Sequence, residues 1–173
     1  MRISCEAAFT AALAVFLSAC AAYGPQAIPK GSSVESVTQR MGAPTGEHRL
    51  PSGLRRLEYA TGPFGKQTYV FDFDSSNRLV NTEQVLSESH FNAIRSGMTA
   101  EEVLAQIGKP STVWAIPRQH QLVWSYRYDA LGCQWFMVGM GTADNKVVDT
   151  AYGPDPICDR DEDGFFGRMR VGR

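Results

Sequence analysis

The sequence predicts an α+β fold, two tandem units of one helix plus a three-stranded antiparallel sheet, and three observations carry that prediction. The segment Gly31-Ser32-Ser33-Val34-Glu35-Ser36-Val37 through Met41-Gly42-Ala43-Pro44 is echoed by Gly97-Met98-Thr99-Ala100-Glu101-Glu102-Val103 through Ile107-Gly108-Lys109-Pro110. Both copies bear the start and stop signals of a short helix. After each helix the apolar residues change from helical spacing to the two-residue alternation of strands.

The chain opens on an export-type leader. One arginine, Arg2, precedes a short apolar stretch from Ala7 to Phe16, and Leu17-Ser18-Ala19-Cys20 follows. The apolar stretch is far shorter than the roughly 20 residues that a membrane-spanning helix requires, so residues 1–19 read as a cleaved signal peptide. Leu17-Ser18-Ala19-Cys20 resembles the bacterial lipobox, which implies cleavage before Cys20 and diacylglyceryl transfer to its thiol. The alternative is a plain secreted chain in which Cys20 is incidental. Residues 20–30, with Gly24, Pro25 and Pro29, read as a lipidated tether.

The first unit spans 31–88. Ser32 is placed to cap its helix and Glu35 to close a capping box, while Gly42 ends it. Val34, Val37 and Met41 share one face and belong to a core. Strands are expected at 55–60, 67–73 and 79–86, with Asp74-Ser75-Ser76-Asn77 as a turn. Leu57 and Tyr59, and Tyr69, Phe71 and Phe73, alternate as a half-buried sheet requires.

The second unit spans 89–158, entered through a short helix near 90–94. Thr99 and Glu102 form its capping box, Gly108 stops the main helix, and Val103, Leu104 and Ile107 face the core. Strands follow at 121–128, 133–140 and 147–152, with Thr142-Ala143-Asp144-Asn145 at the matching turn. Leu122, Trp124 and Tyr126 are expected beneath the helix, with Val123 and Ser125 on the opposite face. Residues 159–173 form a charged C-terminal tail whose apolar payload is Phe165 and Phe166.

Four cysteines occur. With Cys5 in the leader and Cys20 lipidated, Cys133 and Cys158 remain as an even pair for an oxidising compartment, and a disulfide between them is expected. Two separately buried thiols are the alternative, since spacing alone does not bring two Cα atoms to bridging distance. The net charge of −1 speaks against a nucleic-acid partner.

Ile94-Arg95-Ser96-Gly97-Met98-Thr99, followed by Val103, Gly108, Pro110 and Trp124-Ser125-Tyr126-Arg127, resembles the small outer-membrane lipoprotein family BamE, also called SmpA or OmlA. Phe73-Asp74-Ser75-Ser76-Asn77-Arg78-Leu79-Val80 is similar to that family's last hairpin. The resemblance implies an outer-membrane lipid anchor, a domain facing the periplasm, and a partner in the machine that inserts β-barrel proteins. Tandem copies, where the family has one, look instead like the β-lactamase inhibitor proteins, which implies a concave sheet offered to a protein.

No enzyme is expected. His48, His90 and His120 are scattered, with no nucleophile-and-base pattern and no phosphate loop. No cofactor is implied. Asp159-Arg160-Asp161-Glu162-Asp163-Gly164 opens like a calcium loop, but Arg170 stands where the bidentate glutamate belongs, so no metal is assigned. The expected function is non-catalytic binding of an envelope protein, with membrane lipid engaged through Cys20. An inhibitor or ligand-binding module is the alternative, and a hydrolase with an unseen site ranks third. The contact residues expected are Arg49 and Arg55 on one inter-strand loop and Arg118 and His120 on another, where Arg and His offer directional contacts without a core role.

Overall fold

A computed structural model describes Pro25, residues 28–130 and residues 133–157. In chain order the elements are α1 (Val34–Met41), β1 (Gly46–Arg49), β2 (Arg55–Ala60), β3 (Thr68–Phe73), β4 (Leu79–Gln84), α2 (Glu88–Phe91), α3 (Ala100–Ile107), β5 (Thr112–Ile116), β6 (Gln121–Arg127), β7 (Gln134–Gly141) and β8 (Val147–Pro154). A 3-10 turn, Pro117–Gln119, joins β5 to β6.

The strands form two four-stranded antiparallel meanders, ordered β1-β2-β3-β4 and β5-β6-β7-β8. This corrects the expected fold class: the described chain is mostly β, with short helices set against two four-stranded sheets, and not a pair of helix plus three-stranded units. The strands that sequence reasoning omitted are β1 and β5, both at sheet edges. Gly46-Glu47-His48-Arg49 carries no apolar residue and so shows no alternation, while β5 lies between Pro110 and Pro117, where no strand was expected. Antiparallel pairing to β2 and β6 holds them as strands nonetheless.

Each sheet buries one face under its own helix. Val34 and Val37 of α1 pack with Leu57, Tyr59, Phe71, Phe73 and Leu79. Val103 and Ile107 of α3 pack with Tyr126, Phe136, Val138, Met140 and Val147, joined by Phe91 of α2. Tyr126 is fully buried and Trp124 packs partly buried against the same cluster, while Val123 and Ser125 face the other way.

The two halves repeat in fine detail. The Tyr59 hydroxyl donates to the Gly42 carbonyl at 3.2 Å, and Tyr126 donates to Gly108 at 3.1 Å. Each helix start pairs with the hairpin across from it, Ser33 with Arg78 and Thr99 with Lys146. The capping box forms in full only on α3, from Thr99 and Glu102. On α1 the cap is Ser33, accepting from the Ser36 amide, and not Ser32, whose hydroxyl turns back to the Pro29 carbonyl at 2.7 Å. Glu35 is therefore one residue out of phase for the box.

Candidate functional site

The faces of the two sheets that turn away from their own helices have unlike fates. On the first sheet that face carries Arg56, Glu58, Thr68, Val70 and Asp72, and all but Arg56 are at most 3% exposed. The end of α3 covers it. Arg56 forks onto Asp72 through Nε and Nη2 at 2.6 and 2.8 Å and donates from Nη1 to the Ala105 carbonyl at 2.8 Å, a cation on the last turn of a helix. The buried Glu58 carboxylate accepts from the Lys109 amide at 3.0 Å and the Thr45 hydroxyl at 3.1 Å, and its second oxygen lies 3.1 Å from His48 Nε2. A buried carboxylate is tolerable only when its lone pairs are filled in this way.

The repeat allows the second sheet to be read position by position. Aligning Tyr59 with Tyr126, the strand registers place Val123 where Arg56 stands, Ser125 where Glu58 stands, Trp114 for His48, Trp135 for Thr68, Met137 for Val70 and Gly139 for Asp72. The cross-strand contact survives as chemistry of a different kind, since Trp114 Nε1 donates to Ser125 Oγ at 3.2 Å. The charged pair and the carboxylate are gone. What replaces them is an apolar surface on which Trp114 is 44% exposed and Met137 half-buried.

Two shallow hollows adjoin on this surface. One, of about 430 Å³, is lined by Thr112, Trp114, Trp135, Met137, Gly153, Pro154 and Pro156. The other, of about 190 Å³, shares Trp114 and Met137 and extends to Ile116, Val123 and Ala151. At Gly153, in the wall of the first, a β-carbon would lie 2.7 Å from Met137 Cε, the flexible end of that side chain. One rim is polar and fixed: Arg127 forks onto Asp155 at 2.6 and 3.2 Å, and its guanidinium lies 5.0 Å from the Trp135 ring and 5.6 Å from Phe64. Burial opposes ionisation of Asp155, yet hydrogen bonds from Arg127 and from the Ile157 amide hold its carboxyl below the ordinary value.

The residues expected to contact a partner lie elsewhere. Arg49 and Arg55 stand opposite each other at the end of the β1–β2 hairpin. Arg55 is engaged with Glu47 at 2.7 and 3.0 Å. Exposed Arg49, with Leu50 and Pro51, lines a cleft of about 590 Å³ against Thr99, Glu101, Glu102, Ala105 and Gln106. Arg118 and His120 occupy the β5–β6 turn, where His120 adopts φ 53 and its carbonyl accepts from Thr142. These four residues are thus spread over two hairpins on different sheets. Sequence reasoning passed over Trp114 because no strand was expected at 112–116, and Met137 because an unbranched apolar side chain in a strand announces neither face.

Cys133 is disulfide-bonded. Its expected partner Cys158 lies outside the described residues, as do Cys20, the signal segment and the acidic run 159–164. Among the described residues no group of three or more Cys, His, Asp or Glu side chains is placed to hold a metal. No helix among them is long and apolar enough to cross a membrane.

No protein-family model matches the chain, and no curated protein does, so the likeness to BamE stands on the motifs quoted above alone. Among solved structures the chain is similar to a "putative beta-lactamase inhibitor protein" of Streptococcus mutans, at 11% identity and a TM-score of 0.30. The match covers 75% of this chain and 87% of that one. At that level of superposition it identifies neither family nor function.

Proposed function

We propose that this chain is a non-catalytic binding protein of the bacterial envelope, tethered to the outer membrane by lipid on Cys20, that holds an apolar helix of a protein partner on the outer face of its second sheet. One observation carries the proposal. The same face of the first sheet is occupied by a helix end, whereas on the second sheet the polar groups that grip that helix are replaced by Trp114, Val123, Trp135 and Met137. The helix end on the first sheet supports a helix as the occupant of the equivalent face of the second, and the substitutions there support an apolar one. Tryptophan and methionine in shallow hollows are favoured anchors for apolar side chains at interfaces. A component of the β-barrel insertion machinery is the partner that the BamE-like motifs favour; an inhibited enzyme is the alternative.

The test is site-resolved photocrosslinking in the producing cell envelope. A photoreactive residue at Met137 or Ala151 should yield one discrete protein adduct, and the same residue at exposed Val80 on the first sheet should not. Trp114→Glu should abolish the adduct. Adducts from Arg118 or Arg49 with none from Met137 would move the interface to the hairpins and refute the sheet-face reading.

A further inference from the structure

Among the described residues the most exposed large apolar side chain is Phe64, 74% exposed, on the loop between β2 and β3 of the first half. That loop is tightly tied at its base. The Thr61 amide donates to the Gln67 carbonyl at 3.1 Å, and the Thr61 hydroxyl donates to the same carbonyl at 2.7 Å. The Gly65 amide turns back to the Gly62 carbonyl at 3.1 Å, and only glycine fits at 65, where a β-carbon would lie 1.9 Å from Thr61 Oγ1. The second half holds the loop from outside. Arg127 Nη1 donates to the Pro63 carbonyl, the Arg127 guanidinium lies 5.6 Å from the Phe64 ring, and Lys66 approaches Asp129 at 3.9 Å.

We propose that Phe64 is a further contact residue of the partner site, a lip that the first half extends over one corner of the second sheet's outer face. There it meets an apolar side chain of the bound helix or of the residues that follow it. Three observations lead to this. The first is continuity: the Arg127 guanidinium lies between the Phe64 ring and the Trp135 ring, and Trp135 walls the larger hollow. Phe64 is thus the end of the same surface. The second is chemistry, since the charge of Arg127 is already answered by Asp155 through Nε and Nη2. The row therefore offers ring faces, which suit an apolar side chain better than a carboxylate. The third is the repeat, which aligns Ala60 and Thr68 of the first sheet with Arg127 and Trp135 of the second. On the first sheet the cover does not stop at the helix end, because Lys109, Pro110 and Ser111 continue along one hollow with Ala60 and Thr68. An occupant that covers the second sheet to the same extent reaches the corner where Phe64 stands. A ring already fixed on a tied loop loses little freedom on binding, which favours it as an anchor. The inference rests on the proposed partner surface and adds to it a residue from the other half of the chain.

Photocrosslinking of the full chain in the envelope tests it. A photoreactive residue in place of Phe64 should form an adduct with the same protein as one at Met137, and mass spectrometry should map both to one segment of that protein. Phe64→Ser should lower the yield of the Met137 adduct several-fold, and Phe64→Leu should keep most of it. Melting curves of both variants should match the unsubstituted chain, because the ring is mostly in solvent. An undiminished Met137 adduct in Phe64→Ser protein, or no adduct or a different protein at position 64, overturns the inference and leaves the partner surface standing. So does a fall in Tm that accompanies the loss of adduct, which would make Phe64 a brace between the halves. Absence of the Met137 adduct from the otherwise unsubstituted chain instead removes the partner surface, and the inference with it.

Discussion

Gly42 and Gly108 end equivalent helices, and replacing each by alanine separates backbone strain from the docking of one half on the other. Both have nearly the same conformation, φ 85 and ψ −164 for Gly42 and φ 74 and ψ −166 for Gly108. That region is essentially reserved for glycine, so either substitution costs about 1–3 kcal/mol of strain. Their surroundings differ. A β-carbon at Gly42 meets nothing within 4 Å, whereas at Gly108 it lies 2.8 Å from Thr68 Cγ2, 2.9 Å from Glu58 Cδ and 3.1 Å from Glu58 Oε1. Those atoms have little freedom to retreat, because Glu58 is held by three partners and both residues are buried. Overpacking of this kind adds about 1–3 kcal/mol. Gly108→Ala should therefore be less stable than Gly42→Ala by about 1–3 kcal/mol in urea unfolding followed by far-ultraviolet circular dichroism. Gly108→Ala should also loosen protection of the Lys109 amide in hydrogen exchange. Equal losses at the two sites would refute the reading of Gly108 as the contact point between the halves.

Three further outcomes are expected. The depressed carboxyl of Asp155 contributes stability that is fully present above the pKa of an unfolded aspartate and is lost as pH falls through the lower folded value; Asp155→Asn should flatten the acid limb of a plot of urea midpoint against pH, and an unchanged limb would remove Asp155 from the account. Joining Cys133 to Cys158, as we propose, closes a loop of roughly 25 residues and should contribute about 3 kcal/mol; reduction should lower Tm, and a non-reduced peptide map without the linked pair would exclude it. Cys20→Ala should shift the protein out of the membrane fraction and end incorporation of a fatty-acid analogue, with continued labelling placing the acyl chain elsewhere.

What the sequence disclosed follows from where side chains meet apolar neighbours. Six strands fell near their expected places because Tyr69, Phe71 and Phe73, or Leu122, Trp124 and Tyr126, alternate against a helix that also declares itself by caps. An edge strand has no such need. Gly46-Glu47-His48-Arg49 is held as a strand by pairing to β2, and pairing leaves no mark on composition. The candidate surface was illegible for a related reason. Trp114, Val123, Trp135 and Met137 come from three strands, and only the registers bring them onto one face. Arg49, Arg55, Arg118 and His120 drew notice as polar loop residues, yet Arg49 and Arg55 are strand residues paired across β1 and β2, and Arg55 is occupied by Glu47.

The divergence of the two halves also bears on why, among the described residues, a helix end covers the outer face of the first sheet and none covers that of the second. Arg56 and Glu58 recognise a helix by its ends, a carbonyl of the last turn and an amide beyond it, so their grip is indifferent to that helix's side chains. Such a contact suits a fixed neighbour in the same chain, whose sequence never has to be distinguished from others. Val123 and Gly139 take the places of Arg56 and its partner Asp72 and leave no group able to hold a helix end in that way. Recognition on the second sheet must instead come from the shape of hollows walled by Trp114, Trp135 and Met137, which discriminates by the size and outline of what enters. A partner selected by shape can be exchanged, because no buried charge is stranded when it leaves. Placing a charge on the face with Val123→Arg should accordingly weaken partner crosslinking at Ala151 more than either Val123→Ala or Trp114→Phe, and retention of the adduct in the charged variant would show that shape is not what the face reads.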